Sequence, residues 1–178
     1  MRIIGGKHRG RKLNPPRLLD TRPTTDFARE GLFNMLNHRI DLQGIEVLDL
    51  YAGTGAISME SLSRGAASAT AIDNNRESVK HLTRLKNEWN EEGLEIVKGD
   101  ALHYLERCKY RFDLVFADPP YLSDDAHTVV KLVIEGRLIK DEGLLVIEHD
   151  KTKDFSQQEG FRESRPFGKV IFSFFSLS

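Results

Sequence analysis

Cysteine is almost missing from this chain, and long apolar runs are missing altogether. The single cysteine among 178 residues, Cys108, cannot close an internal disulfide. It has no Cys or His neighbours at metal-ligand spacing, so it reads as a structural residue. The longest apolar runs, LVFA, LLVI and VIF, fall far short of a membrane span. The six histidines, at positions 8, 38, 81, 103, 127 and 149, form no HxxxH pair. No serine sits in a strained nucleophile elbow, so neither a metal site nor a hydrolytic triad has its residues. Internal repeats and low-complexity tracts are absent too. The Arg-rich start, MRIIGGKHRGRKL, lacks an apolar signal core, so no secretory leader is expected and the expected location is the cytoplasm.

What is present is the composition of a soluble globular protein, with 39% hydrophobic and 30% charged residues. A chain of this length forms one domain, residues 1–178, and buries roughly 70% of its unfolded surface. The net charge is only −1, yet seven of the 26 basic residues fall within positions 1–22, against one of the 27 acids. That imbalance marks either a contact surface for a polyanion or a solvated terminus. Gly5-Gly6, Arg9-Gly10 and Pro15-Pro16 punctuate this basic stretch as a small hairpin or arm, residues 1–22, ahead of a core over 23–178.

The core begins with TRPTTDFAREGLFNML, where Thr25 or Asp26 caps a helix with apolar positions Phe27, Leu32, Phe33 and Leu36. Apolar strands and helices then alternate. Strands are predicted at 45–50, 68–73, 94–100, 111–118 and 143–149, and helices at 56–65, 77–90, 101–108 and 125–139. Near-continuous apolar strands separated by helices specify a doubly wound α/β parallel sheet covered on both faces. The tail, FRESRPFGKVIFSFFS, leaves no room for a helix and reads as an antiparallel hairpin, which makes seven strands. A nicotinamide-binding fold repeats βαβ units instead.

In VLDLYAGTGAISME two glycines, Gly53 and Gly55, lie between a strand and a helix, where the backbone must turn sharply and let a ligand approach. The third glycine of a dinucleotide fingerprint is replaced by Ser58, and Asp49 sits inside the strand end, which weakens a pyrophosphate reading. An acid there suits a cofactor with an ammonium end, held directly or through water. Asp73, at the end of the second strand, is placed to accept ribose hydroxyls. Asp100 after the third can accept from an adenine amine, with Ala101 packed nearby. Asp73 and Asp100 are equally good helix caps. Three acids at the carboxyl edge of an open α/β sheet mark its ligand-binding side and favour a nucleoside-type cofactor.

LVFADPPYLSDD raises a sharper question. Pro119 and Pro120 lock two successive φ angles, so the chain leaves its strand in one fixed shape. That shape is either a capped turn, with Asp124 or Asp125 starting the next helix, or a site built from Asp118 and Tyr121. An exocyclic amine on a base is a poor nucleophile because its lone pair is delocalised. Two acceptors, the Asp118 carboxylate and the Pro119 carbonyl, can pyramidalise it, and Tyr121 can stack on a flipped base.

These motifs carry a resemblance. DLYAGTGA resembles the glycine motif of class I S-adenosylmethionine-dependent methyltransferases, and DPPY resembles the fourth-strand motif of amino-methyltransferases. The opening MRIIGGKHRGRKL, with TRPTTDFAREGLFNML, LSRGA, EH and the closing FG hairpin, is similar over nearly the whole chain to the bacterial 16S ribosomal RNA guanine-N2 methyltransferases, the RsmD family. Phe27 stands where a basic residue is common, and Lys169 where a small polar one is usual. The resemblance implies S-adenosylmethionine as cofactor and N2-methylguanine in small-subunit ribosomal RNA as product. The RNA would be met naked or in an assembled or partly assembled 30S subunit, by a monomer with no membrane contact and no metal. It places Asp118, Pro119, Pro120 and Tyr121 in catalysis. Asp49, Tyr51, Ala52, Gly53, Thr54, Gly55, Asp73, Asn74, Asp100, Ala101 and Asp118 are placed at the cofactor. Arg9, Arg11, Lys12, Arg17 and Arg22 are the expected phosphate contacts. The competing readings are an adenine-N6 methyltransferase and a non-catalytic RNA-binding assembly factor on the same fold.

Overall fold

Apolar alternation is satisfied by one sheet with helices on both faces. A computed structural model describes residues 1–17 and 25–177; Arg22 therefore lies outside the described residues. The elements are α1 (Asp26–Asn37), β1 (Glu46–Leu50), α2 (Ala56–Ser63), β2 (Ser68–Asp73), α3 (Arg76–Trp89), β3 (Leu94–Lys98), α4 (Ala101–Arg107), β4 (Phe112–Ala117), α5 (Asp125–Glu135), β5 (Ile139–His149), β6 (Phe161–Phe167) and β7 (Val170–Phe175). The strand order is β3-β2-β1-β4-β5-β7-β6. Strands β1 to β5 run parallel, and β7 pairs antiparallel with both β5 and β6. The expected doubly wound sheet with a closing hairpin is the observed one. No helix among the described residues is long and apolar enough to cross a membrane.

Each strand sends alternate side chains to opposite faces. Val47, Ala69, Ala71, Leu114 and Val146 pack with α1, α2 and α3 on one side, while Leu48, Leu50, Ile72, Val115 and Ile147 pack with α4 and α5 on the other. Of the two candidate caps for the first helix, Thr25 is the one that bonds, its Oγ1 accepting the Ala28 N–H at 3.1 Å. Asp124 stands at the N-cap of α5 but makes no side-chain cap bond.

Strand β5 begins at Ile139, four residues before the expected 143. Its pairing with β4 shifts between Phe112 and Leu114, and this irregularity turns the polar Lys-Asp-Glu segment outward. Lys140 Nζ then bridges Asp113 at 2.8 Å and Glu46 at 2.9 Å. A charged interruption hides a strand whose apolar part starts later.

The basic arm is a hairpin, closed by a bridge between Arg2 and Lys12 and by the Ile3 N–H to Arg11 carbonyl bond of 2.9 Å. It is also a structural layer. Ile3 and Leu13 are fully buried. The side chain of Glu60, in the middle of α2, accepts the Ile4 and Gly5 N–H groups at 2.8 Å each. At Gly6 (φ +73°) a Cβ would lie 1.7 Å from the Ser63 carbonyl oxygen, so only glycine allows this approach.

Candidate active site

Ligands of open α/β sheets bind outside the carboxyl ends of the strands, where the strand order reverses. Here the reversal falls between β1 and β4, since β1 pairs with β2 on one side and β4 on the other. A cavity of about 380 Å³ opens at that edge, lined in part by Tyr51, Gly53, Asp73, Asn74, Asp118 and Tyr121. Pro119, Pro120, Asn75 and Ser78 complete its lining. The DPPY residues and part of the glycine loop, far apart in the chain, thus face one space. Its volume is that of a small-ligand cleft.

The glycine loop is held tightly. Tyr51 adopts φ 60°, a sparsely populated conformation for a residue with a Cβ. Its hydroxyl donates to Asp125 Oδ2 at 3.0 Å, which anchors the loop to the start of α5. Burial, then Asp125, raises the Tyr51 phenol above its ordinary range, so it stays a neutral donor. Gly53 N–H donates to Asp73 Oδ2 at 2.7 Å, and Asn75 N–H donates to Asp73 Oδ1 at 2.8 Å. Each Asp73 oxygen keeps a further acceptor position. At Gly55 (φ +73°) a Cβ would lie 2.3 Å from Leu82 Cδ2, so the turn into α2 requires glycine.

The DPPY turn is fixed on its far side. Pro120 carbonyl accepts from Ser123 N–H at 3.0 Å and Ser123 Oγ at 2.9 Å, and Lys153 Nζ donates to the Ser123 carbonyl at 2.7 Å. Among the described residues no donor reaches the Asp118 carboxylate or the Pro119 carbonyl. Burial, then the charges of Glu148 and Asp49, hold the Asp118 carboxyl well above the usual carboxylate range.

Several expected cofactor residues sit elsewhere. Asp49 does not line the cavity. It is 1% exposed, and its Oδ2 accepts Ser58 Oγ at 2.6 Å and Ser58 N–H at 3.1 Å. Burial pushes its carboxyl up to about 7, against the pull of the Ser58 bonds, with Asp73 adding to the rise. Ser58, which stands where a third glycine would, is the anchor of Asp49. Ala52 and Thr54 are buried beneath the loop, and Gly55 shapes it from behind. Thr54 Oγ1 donates to Met1 Sδ at 3.4 Å, which ties the arm to the loop. Asp100 caps α4 through the His103 N–H at 2.8 Å and lines a neighbouring cavity, with Ala101 buried behind it.

Glu148, the acid of EH, is not among the expected site residues. It is 1% exposed in β5 and acts on the Asp118 carboxyl. The available signal was an acid inside the buried run LLVIEH. Its neighbour His149 is structural: Nδ1 meets the Asp150 carbonyl at 2.7 Å and Nε2 meets Ser173 Oγ at 2.7 Å. Of the expected phosphate contacts, Arg9, Arg11, Lys12 and Arg17 are exposed, and Arg11 lies 4.1 Å over the Trp89 ring.

The family described as conserved hypothetical protein 95 matches residues 1–176. The chain is 36% identical over 154 residues to ribosomal RNA small subunit methyltransferase D of Escherichia coli K12, covering 84% of this chain and 75% of that protein. The solved structure of yhhF, a candidate methyltransferase from Escherichia coli, superposes with a TM-score of 0.87 at 30% identity, over 100% of this chain and 99% of that one. A hypothetical protein of Thermus thermophilus also reaches a TM-score of 0.87, at 27% identity over 99% of both chains. Family match, relative and fold agree, and the chain belongs to the conserved hypothetical protein 95 family, that of the ribosomal RNA small subunit methyltransferase D proteins.

Proposed function

We propose that the chain, as one catalytic domain over residues 1–178, transfers a methyl group from S-adenosylmethionine to the exocyclic N2 of a guanine in 16S ribosomal RNA. The observation that carries this reading is the convergence of Asp118, Pro119 and Tyr121 with Gly53 and Asp73 on one cavity. The naming of relatives as small-subunit RNA methyltransferases supports the substrate class.

The cavity fits a cationic nucleoside. Among the described residues its lining holds two carboxylates, Asp73 and Asp118, and no Lys or Arg, and Asp49 and Glu148 are buried acids behind them. A pyrophosphate would meet repulsion there, whereas a sulfonium offsets it. When bound, S-adenosylmethionine supplies an electrophilic methyl on positively charged sulfur. Asp73 would hold its ribose through the free acceptor positions, and Asn74 and Tyr51 would bound it on either side.

Asp118 and the Pro119 carbonyl, to which no described residue donates, would accept the two N–H bonds of the base amine. The two proline rings and the Ser123 bonds keep that pair of acceptors from relaxing. Tyr121 stacks on the base once it leaves its helix, as chemistry on a base requires. With the amine so held, its N2 lone pair would take up the methyl carbon, the carbon–sulfur electron pair leaving with the sulfur. The resulting ammonium is acidic and loses its proton to Asp118 or to water. Catalysis is orientation and electrostatics, with no strong base needed.

The test is methyl transfer to protein-free 16S RNA, to 30S subunits and to duplex DNA, followed by nucleoside analysis of the product. N2-methylguanine in the RNA is the expected result, with the protein acting as a monomer. N6-methyladenine would overturn the choice of base, and no transfer to any substrate would favour the assembly factor.

A further inference from the structure

A second cavity, of about 420 Å³, lies on the outer flank of the sheet between β3 and α4. β3 is an edge strand, so no further strand covers that side. The groove starts at Gly99 and Asp100 and ends at Lys109 and Tyr110, the chain having descended the seven residues of α4, roughly 10 Å. Its upper end adjoins the active site, because Gly99 N–H donates to the Asp73 carbonyl at 3.0 Å.

The groove carries Lys98, Arg107 and Lys109. Among the described residues none of the three has an ion pair or hydrogen-bonding partner for its side chain. The facing acid is Asp100, whose Oδ1 is committed to capping α4. His103, also on the wall, is 3.7 Å from Glu106. Tyr110 is 76% exposed at the lower end, and half-buried Tyr104 forms the wall above it.

We propose that this groove holds a strand of the substrate RNA flanking the target nucleotide, with a base stacked on Tyr110 and phosphates on Lys98, Arg107 and Lys109. The proposal rests on the reading of the substrate as ribosomal RNA and adds a contact surface distinct from the basic arm. Unpaired cations spaced along an aromatic-bearing groove complement a chain that alternates charge with flat apolar faces. An acidic peptide would neutralise the cations and leave the tyrosine face without a flat partner. The arm packs on the sheet face of α3, and this groove opens on the opposite face, beside α4, so the two surfaces address RNA from both sides of one edge.

The experiment measures equilibrium binding of protein-free 16S RNA, without cofactor, over a series of KCl concentrations. The wild type is compared with the Lys98→Ala/Arg107→Ala/Lys109→Ala variant. Three lost single-strand phosphate contacts should flatten the slope of log K against log salt by about 2. Tyr110→Ala should weaken binding about tenfold and Tyr110→Trp should restore it. The thermal midpoint and S-adenosylmethionine affinity should stay at wild-type values. An unchanged slope and affinity would overturn the proposal, and so would a loss seen only with assembled 30S subunits, which would place a ribosomal protein in the groove. Because no turnover is read, a flattened slope stands even if nucleoside analysis of the wild-type product rejects N2-methylguanine.

Discussion

Two buried carboxylates meet one short helix two positions apart, Glu60 on the helix itself and Asp49 held by its Ser58, and they are treated in opposite ways. Glu60, fully buried in α2, accepts two backbone N–H groups from the arm, receives Arg64 Nε at 2.7 Å and lies 3.7 Å from the buried Arg29 guanidinium. Arg29 itself donates to Asp26 Oδ1 at 3.0 Å and to the Arg2 carbonyl. Earlier on the same helix, Ser58 holds Asp49, whose charge acts with that of Glu148 on Asp118 at the strand ends. The first cluster is closed and structural. The second gathers acids behind a cavity whose described lining has no Lys or Arg, which suits a ligand that brings the positive charge itself.

The largest effect should come from breaking the closed cluster. Glu60→Ala takes one of the two acids from the buried Arg29 guanidinium, leaving it Asp26, and frees two arm N–H groups, so it should cost about 3–5 kcal/mol of stability. Urea denaturation measures it, and a loss below about 1 kcal/mol, the worth of an exposed pair, would show that the arm docks by other contacts. Next is Asp118→Ala. It removes one of the two amine acceptors and should lower the rate of methyl transfer by about 10²–10³. Cofactor affinity should stay within a few-fold by calorimetry, and stability should hold or rise as a repelling charge is lost. Ser58→Ala comes third. It strips a hydroxyl donor from buried Asp49 and should cost about 1–3 kcal/mol while raising the Asp49 carboxyl further, a shift that carbon-13 NMR of the carboxyl follows.

The difference between these clusters also explains what can be read from the amino-acid order. The parallel strands are legible because both faces of the sheet are covered, so each strand is a nearly unbroken apolar run. β5 is the exception: Lys140, Asp141 and Glu142 lie within it, and only the pairing irregularity opposite Phe112 accommodates them. Asp118, Gly53 and Asp73 are legible because local geometry, a proline pair, a glycine turn and a strand end, sets them apart. Glu60, Arg29 and Glu148 are not. Glu60 and Arg29 sit in helical patterns where charged residues normally face water, and their burial arises only when an arm 55 residues away in sequence folds over α2. The place of Asp49 at the strand end is legible too, but its separation from the ligand space is not, because nothing local reveals that Ser58 turns back to cover it.

The last prediction sharpens the comparison most directly, because it asks which charge the open cluster lacks. Burial raises the folded Asp49 carboxyl to about 7, against about 4 in the unfolded chain, so the folded protein binds a proton that the unfolded chain has released. The sign is the reverse of a salt-bridged acid: this group's contribution to stability is greatest below about pH 4 and is lost as pH rises toward about 7. Thermal midpoints of the wild type minus those of Asp49→Asn should therefore fall across that window. A cation at the site competes with the same proton. S-adenosylmethionine should bind more tightly as pH rises from about 6 to about 8, by up to about tenfold, whereas S-adenosylhomocysteine, with a neutral sulfur in the same frame, should gain less. Parallel calorimetric titrations separate the two ligands. Equal pH dependence would mean that the Asp49, Asp118 and Glu148 charges do not sense the sulfur, and that their burial serves the amine end of the reaction alone.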